Sequence, residues 1–457
     1  FKFFRMASLS AASSSWRPPP SPPSPLEVYS WLASGSSSAS RLAVALFLVP
    51  EESWPPGARN HKELTNAISN LAKGPMPGES EPVSTDRRDP REYQDTIYQN
   101  PMRVYTDNEE VKIVLAKSSR FQLVEAGEPH DVLFTISNIT NFLELPPERL
   151  VNSFPFEGGL VQKDLLPQTV RRACYSADRV APTWWNPCFD LSTEAHFFLA
   201  EYRRREASGE PNTWIVKAAQ GSHAINYTVT KDARVVIERM RARPRDADQV
   251  AQLYVERPFT LQDRKFDLRF YVLVRSFAPF EAFIHPHYYA RLAADPWGKG
   301  DELDSRNKHF TTSLEKGAGD FPHMWPEQMA QAVVSDGLIS LAEWEKAIAA
   351  AEQTLGQLFT SVAPLIGEWP RSRAYYGVDL MFESLEVDGR LSLTPKLLEV
   401  NFQADFDVAR YGGTDGLEVT EEGDALMEKL INDFFKTLFT DTVAKGMKAI
   451  NPALFAT

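Results

Sequence analysis

Apolar residues take up a structural period only after about position 98. Residues 1–95 are rich in Ser, Pro and Gly and carry their apolar residues without a period. A segment of that kind buries too little surface to order itself, so this stretch is expected to be disordered and order to begin near Tyr98. Asp107 then opens a helical pattern with Val111, Val114 and Leu115 on one face, and residues 121–124 and 131–135 read as short strands. Between 152 and 205 a loop precedes a helix capped by Asp190 or Ser192 and running through His196, Leu199 and Tyr202. Strands are predicted at 214–217, 252–255, 266–275, 280–285, 376–382 and 391–401. Helices are predicted at 340–358 and 421–439, the second turning Leu426, Leu430, Phe434, Phe435 and Leu438 inward. Strand and helix alternate without an internal repeat, which predicts an α/β chain.

Composition narrows this only a little. The 457 residues allow two or three domains, and 43% hydrophobic with 24% charged residues is ordinary for a soluble chain. A net charge of −12 argues against general affinity for nucleic acid, which needs basic surface to replace condensed counterions. Arg203, Arg204 and Arg205, or Arg239, Arg241, Arg243 and Arg245, form local basic clusters that read first as solvated helix faces. Two cysteines in a chain of this length exclude a disulfide framework and a four-cysteine zinc site, and fit a reducing, cytoplasmic compartment. The apolar run 42–50 is too short to span a bilayer, so no membrane segment is expected. The first methionine is Met6 and no acid precedes Glu27, a pattern shared by a transit peptide, a linker and an over-extended gene model.

Three segments carry candidate chemistry. In Leu397-Leu398-Glu399-Val400-Asn401 the strand period places Leu398 and Val400 on one face and Glu399 and Asn401 on the other, while Asp379 sits in another apolar strand. Two carboxylates and an amide oxygen suit a hard cation such as Mg²⁺; the alternative is the exposed face of an edge strand. In the Arg-Lys-Phe-Asp-Leu-Arg run at 264–269, Lys265, Asp267 and Arg269 share one face. They could hold phosphate oxygens, but on pattern alone a surface row of self-neutralising charges is the favoured reading. Lys217 closes a Trp-Ile-Val strand before a loop, 218–225, that holds one glycine. It suits either a phosphate-binding lysine or an ordinary hairpin.

Taken in order, these segments resemble the catalytic core of the tubulin tyrosine ligase-like family over roughly residues 100–445. The matching segments are the strand ending at Lys217, Gln252-Leu253-Tyr254-Val255-Glu256-Arg257-Pro258, the 264–269 run, Gly377-Val378-Asp379 and Leu397 to Asn401, with Gln162-Lys163-Asp164 upstream. Within the family the chain is most similar to the branch called tubulin tyrosine ligase-like protein twelve, at Val104-Tyr105-Thr106-Asp107, Phe121-Gln122-Leu123-Val124 and Lys308-His309-Phe310-Thr311. The resemblance implies an ATP-grasp fold, two α/β lobes with antiparallel sheets. It divides the chain into a segment 1–95, a lobe 96–205, a catalytic core 206–447 and a tail 448–457.

The resemblance also implies roles. Lys163 and Lys217 would contact phosphates, Gln252, Tyr254 and Val255 would frame adenine, and Lys265 would reach the nucleotide. Asp267, Arg269 and Arg291 would face the reacting carboxylate and amino acid, with Asp379, Glu399 and Asn401 holding Mg²⁺. The expected function is ATP-dependent ligation of a free amino acid to tubulin or another protein through an acyl phosphate. Two departures point to the alternative, a nucleotide-binding pseudoenzyme that binds tubulin and modulates its tyrosination state without ligase activity. His223 and Ala224 stand where active relatives place lysine and glycine, and Thr312 stands where many have asparagine.

Overall fold

The computed structural model describes residues 101–455 apart from 220–225, 243–247, 299–301, 313–320, 407–420 and the single positions 138, 140, 143, 147, 176, 177, 179 and 388. The segment 1–95, Tyr98 and the loop carrying His223 and Ala224 therefore lie outside the described residues.

The first layer holds β1 (Met102–Thr106), α1 (Glu109–Leu115), β2 (Phe121–Leu123), β3 (Val132–Phe134) and β4 (Leu150–Val151). Its sheet is parallel, in the order β2-β1-β3-β4. Asn108, rather than Asp107, caps α1, its Oδ1 accepting from the Val111 N–H at 2.9 Å. Asp107 instead accepts from the Ile136 N–H and the Thr135 hydroxyl, each at 2.8 Å, and so fixes the turn after β3.

After α2 (Gly158–Val161) and α3 (Leu166–Cys174) comes a second layer: β5 (Cys188–Asp190), α4 (Ala195–Ser208), β6 (Trp214–Ala218), β7 (Thr228–Thr230), α5 (Ala233–Ala242) and β8 (Gln249–Leu253). Its antiparallel sheet runs β5-β8-β6-β7 and packs Trp214, Val216 and Ala251 against Phe198 of α4 and Val236 of α5. Pairing with β6 sets β8 earlier than the predicted 252–255, because Gln249 lies opposite Ala218 and Leu253 opposite Trp214. Neither Asp190 nor Ser192 caps α4. The Asp190 carboxylate closes the preceding turn, accepting from the Ser192 N–H at 2.9 Å and the Thr193 hydroxyl at 2.7 Å. Arg204 and Arg205 of α4 pair with Glu201 and Glu210, as on a solvated helix face.

The third layer is the largest: β9 (Thr260–Leu261), β10 (Arg264–Phe277), β11 (Phe280–Ile284), β12 (Tyr289–Leu292), α6 (Arg306–His309), β13 (His323–Met324), α7 (Pro326–Asp336), α8 (Leu341–Ile366), β14 (Ala374–Val387), β15 (Arg390–Phe402), α9 (Glu421–Phe439) and β16 (Lys448–Ala449). The long strands β10, β14 and β15 pair antiparallel and form the floor of the molecule. On one side lies α8, opened by a Ser340–Glu343 capping box and extended past the predicted end because Phe359, Val362 and Ile366 continue its buried stripe. On the other side α9 fills the space beneath the parallel sheet with Leu430, Phe434, Phe435 and Leu438. His285, buried on the strand end beside α9, lies 3.4 Å from Asp433.

One irregularity matters for the site. Asp379 pairs with Glu399 but Leu380 pairs with Leu397, so Leu398 is an extra residue bulged out of the ladder. The expected pairing of Leu398 with Val400 on the core face is thereby corrected. Leu397 and Val400 are buried in the core, and Leu398 turns to the same side as Glu399 and Asn401.

Glu157, at the start of α2, is buried and accepts hydrogen bonds from the Ser153 and Tyr376 hydroxyls. Burial pushes its carboxyl up to about 7, against the opposing effect of those bonds. A raised acid binds its proton in the folded chain over a window, about 4.5 to 7, where the unfolded chain has released it. Stability on this account falls as pH rises through that window. Glu157→Gln is therefore expected to lose that slope, its melting temperature gaining on the parent's between pH 5 and 8. Parallel melting curves for the two proteins would reject this.

Candidate active site

The second and third layers enclose a cavity of about 620 Å³. β6 contributes Lys217, β8 contributes Gln252, and the segment leaving β8 adds Tyr254 and Val255. From the floor come Lys265, Asp267 and Arg269 of β10, Arg291 of β12, Asp379 of β14, and Glu399 and Asn401 of β15. The alternation seen in the sequence thus turns the polar row of β10 into an enclosed space. Lys265, Asp267 and Arg269 are only 4%, 3% and 7% exposed, which corrects the surface-row reading. A charged row is tolerated there because each member has an opposite or polar partner.

Lys163 stands behind the main cavity, in a small adjoining void lined also by Lys217 and Glu399, with its ammonium 3.4 Å from the Glu399 carboxylate. The Lys217 ammonium donates to the Gln252 side-chain oxygen at 2.8 Å and to the carbonyl of the bulged Leu398 at 3.3 Å. Burial lowers the Lys217 pKa, and Glu399 partly restores it. Burial would raise Glu399, but Lys163 and Lys217 outweigh that and hold it low.

Lys265 is placed by a chain of bonds that also fixes a histidine tautomer. His309 Nε2 lies 2.9 Å from the Glu302 carbonyl, so it carries the proton and Nδ1 accepts from the Tyr254 hydroxyl at 2.8 Å. The Lys265 ammonium donates in turn to the Tyr254 oxygen at 2.5 Å and to the His309 carbonyl at 2.9 Å, with the Tyr254 ring 4.1 Å away. Burial and the neighbouring Lys265 push His309 down to about 4, keeping it neutral. Burial pulls Lys265 down to about 7, opposed by Asp267.

The remaining charges form one network. Arg269 grips Asp379 through both Nε and Nη2, the second at 2.9 Å, and Arg291 reaches the same carboxylate through Nη2 at 2.8 Å. Arg291 Nε also donates to Asp267 at 2.7 Å, and the Thr311 hydroxyl donates to the other Asp267 oxygen. Burial alone would raise Asp379, which is 1% exposed, but the two guanidiniums hold it well below the usual carboxylate range. Burial raises Asp267 despite Arg291.

All twelve residues singled out in the sequence therefore come together, eleven on the cavity wall and Lys163 just behind it. Pattern reasoning assigned no role to Tyr227, Tyr289, His309, Thr311 or His323, which also line the wall. The only signal for any of them was the 308–311 segment. The buried lysines, with Ile215, Leu253, Met381 and Leu397 as apolar wall, fit a nucleotide. As a cation cradle, Asp379, Glu399 and Asn401 are adjacent, but Asp379 is engaged by guanidinium. Asn401 directs its amide N–H₂ at Asp379 and Glu399, at 3.2 and 3.4 Å. The set fits Mg²⁺ once those donors are drawn off. Among the described residues no group of three His, Cys, Asp or Glu is arranged to hold a metal, and no helix is long and apolar enough to cross a membrane.

The profile of the Tubulin-tyrosine ligase family matches residues 143–411, a span containing every site residue placed above. The chain belongs to the tubulin-tyrosine ligase family. The mixed α/β architecture with antiparallel sheets around the cavity is this family's ATP-grasp-like fold. Tubulin–tyrosine ligase-like protein 12 of Homo sapiens is 31% identical over 361 residues, covering 74% of this chain and 51% of the relative. The Mus musculus protein of the same name is 29% identical over 353 residues, 70% of this chain and 49% of the relative. Tubulin polyglutamylase TTLL6 of Homo sapiens is 29% identical over 190 residues, 40% of this chain and 20% of the relative. The chain thus spans about half the length of the first two.

In this family member the guanidinium grip depends on a missing side chain. Gly377 lies opposite Asn401, and a Cβ there would stand 2.5 Å from the Ala404 Cβ and 2.9 Å from Arg269 Cδ. Gly377→Ala is expected to cost about 1–3 kcal/mol, as overpacking does, and to push Arg269 off Asp379. Thermal melting measures the first effect and a crystal structure of the variant the second. An unmoved Arg269 with an unchanged melt would contradict both.

Proposed function

We propose that this chain is an ATP-dependent carboxylate–amine ligase of the tubulin tyrosine ligase type, joining a free amino acid to tubulin. The observation that carries the reading is the convergence of Lys217 and Lys265, both buried, with the Arg269–Arg291 pair and the Glu399–Asn401 strand on one cavity, in a chain of this family. Lys217, Lys265 and, from behind, Lys163 would neutralise phosphate oxygens, and Gln252, Tyr254 and Val255 would frame the base. Asp379, Glu399 and Asn401 would hold Mg²⁺. ATP with Mg²⁺ would supply the phosphoryl group that activates a carboxylate for attack by an amine. Arg269 and Arg291 are forks suited to orienting a carboxylate, and Asp267 holds Arg291 in place for it. Catalysis on this account is positioning and charge stabilisation by the cavity's buried charged side chains. Some relatives are named tubulin polyglutamylases, which supports tubulin as the partner; on this reading the place of action would be the cytoplasm, on microtubules.

A second reading is a nucleotide-binding protein that holds tubulin without ligating anything to it. What favours it is the engagement of Asp379 by both arginines. Purified protein incubated with tubulin, Mg-ATP and labelled amino acids, followed by mass spectrometry of the tubulin tails, separates the two. A tail gaining one amino-acid residue only when ATP is present supports the ligase. Nucleotide and tubulin binding with unchanged tails supports the second reading, and absence of both binding events sinks both.

A further inference from the structure

We propose that Arg269 and Arg291 compete with a divalent cation for Asp379, so that the cation and an anionic ligand which draws the guanidiniums away bind cooperatively. The inference deepens the reading above and rests on it. A carboxylate accepts about four hydrogen bonds. Asp379 receives four: two from Arg269, one from Arg291 and one from Asn401. Three of them fall on Oδ2, the oxygen nearest both Asn401 and Arg291. A cation bound between Asp379, Glu399 and Asn401 would meet two guanidinium charges on the same carboxylate. It would also meet the hydrogens, rather than the oxygen, of the Asn401 amide. Cation and arginines therefore exclude one another at Asp379.

The arginines have somewhere to go. Arg291 keeps a second partner, since its Nε stays on Asp267 at 2.7 Å when Nη2 leaves Asp379. Arg269 lies over Gly377, where no side chain obstructs it, and both guanidiniums already line the cavity. A carboxylate entering the cavity offers the bidentate geometry that a guanidinium fork prefers. The class of ligand that relieves Asp379 is thus a peptide or amino-acid carboxylate. A nucleotide phosphate is better served by Lys217 and Lys265, which do not touch Asp379. Because coupling between two ligands is reciprocal, the cation must favour the carboxylate as much as the carboxylate favours the cation.

The test titrates Mn²⁺ into the full chain with saturating ADP, following the electron-spin-resonance signal of the free ion. It is run with and without a glutamate-rich peptide ending in a free carboxylate. In the unaltered protein the peptide is expected to tighten Mn²⁺ binding by about 5-fold or more, and Mn²⁺ to tighten peptide binding by the same factor. In Arg291→Gln, Mn²⁺ should bind more tightly without peptide, and the peptide should add little. Lys217→Gln removes a cation from the same cavity that does not touch Asp379. It should weaken ADP binding and leave the peptide-induced tightening in place. Equal Mn²⁺ affinity with and without peptide in the unaltered protein overturns the proposal, as does weaker Mn²⁺ binding in a folded Arg291→Gln. If that variant does not fold, the reciprocity measured in the unaltered protein decides alone. ADP and Mn²⁺ binding without coupling removes only this inference, whereas failure of ADP to bind at all removes the nucleotide reading with it.

Discussion

Replacing Asp379 with alanine is expected to lower stability by about 3–5 kcal/mol, the usual cost of removing one partner from a buried ion pair. At about 2.1 cal/mol/K of unfolding entropy per residue over roughly 350 residues, that corresponds to a fall in melting temperature of about 4–7 °C. The reason lies with what remains. Arg269 would lose both of its bonds to the carboxylate and Arg291 one of its two, leaving guanidinium charge buried without an anion. Asp379→Asn keeps one acceptor oxygen and should fall between the two proteins. Thermal melts at neutral pH check the series. A shift in the alanine variant below about 1 kcal/mol would mean that water reaches the guanidiniums and that the network is not sealed.

The second large effect concerns Lys265. If the cavity takes a nucleotide, Lys265→Met removes a charge-assisted contact worth about 1.5–3 kcal/mol, or roughly a 10- to 150-fold loss of ATP affinity. The pH dependence is more specific. Because burial pulls Lys265 to about 7, the empty cavity loses this cation as pH rises above 7, and ATP affinity should decline from pH 7 to 9. Stability should move the other way over the range from about 7 up to the ordinary lysine value. There the unfolded chain keeps a proton the folded chain has given up. Calorimetric titrations and melts at pH 6, 7, 8 and 9 test both trends, and in Lys265→Met both slopes should flatten. An affinity with the same pH profile in parent and variant would assign the titration to the nucleotide instead.

Elements with a long, one-sided apolar pattern were legible in the sequence. The helix Glu421–Phe439 lies where the spacing of Leu430, Phe434 and Leu438 places it, and the strands around Phe266, Tyr376 and Val400 are longer than expected but correctly located. What escaped was short or locally ambiguous. The strand at Cys188–Asp190 has three residues and the one at Tyr289–Leu292 four, too few to display a period. The helix at Pro326–Asp336 is capped by Trp325, a residue type that does not advertise an N-terminus.

Site residues were visible as types and spacings, but their environment was not. Alternation along Lys265, Asp267 and Arg269 is the same whether the polar face meets water or a second sheet. Only the packing of Lys217 and Gln252 above it decides. Nor could spacing reveal that Arg269 and Asp379, 110 residues apart, spend their charges on each other. That contact depends on β10 and β14 placing the two residues directly opposite.

The bulge at Leu398 gives β15 something like a reading frame. Up to Leu397 the strand is in one phase with β14, and from Glu399 onward in another. The carbonyl released from the ladder between them is the one Lys217 holds. Deleting Leu398 would bring the two halves back into step with Glu399 still opposite Asp379 and Asn401 still opposite Gly377, so both would keep the cavity face and Val400 the core face. It would take away the acceptor that anchors the lysine of the opposite sheet. The hairpin end beyond Pro395 can change length without touching the cavity. Loss of the bulge at Leu398, by contrast, would leave the polar side chains in phase and free one cation, so the extra residue serves the lysine rather than the carboxylate.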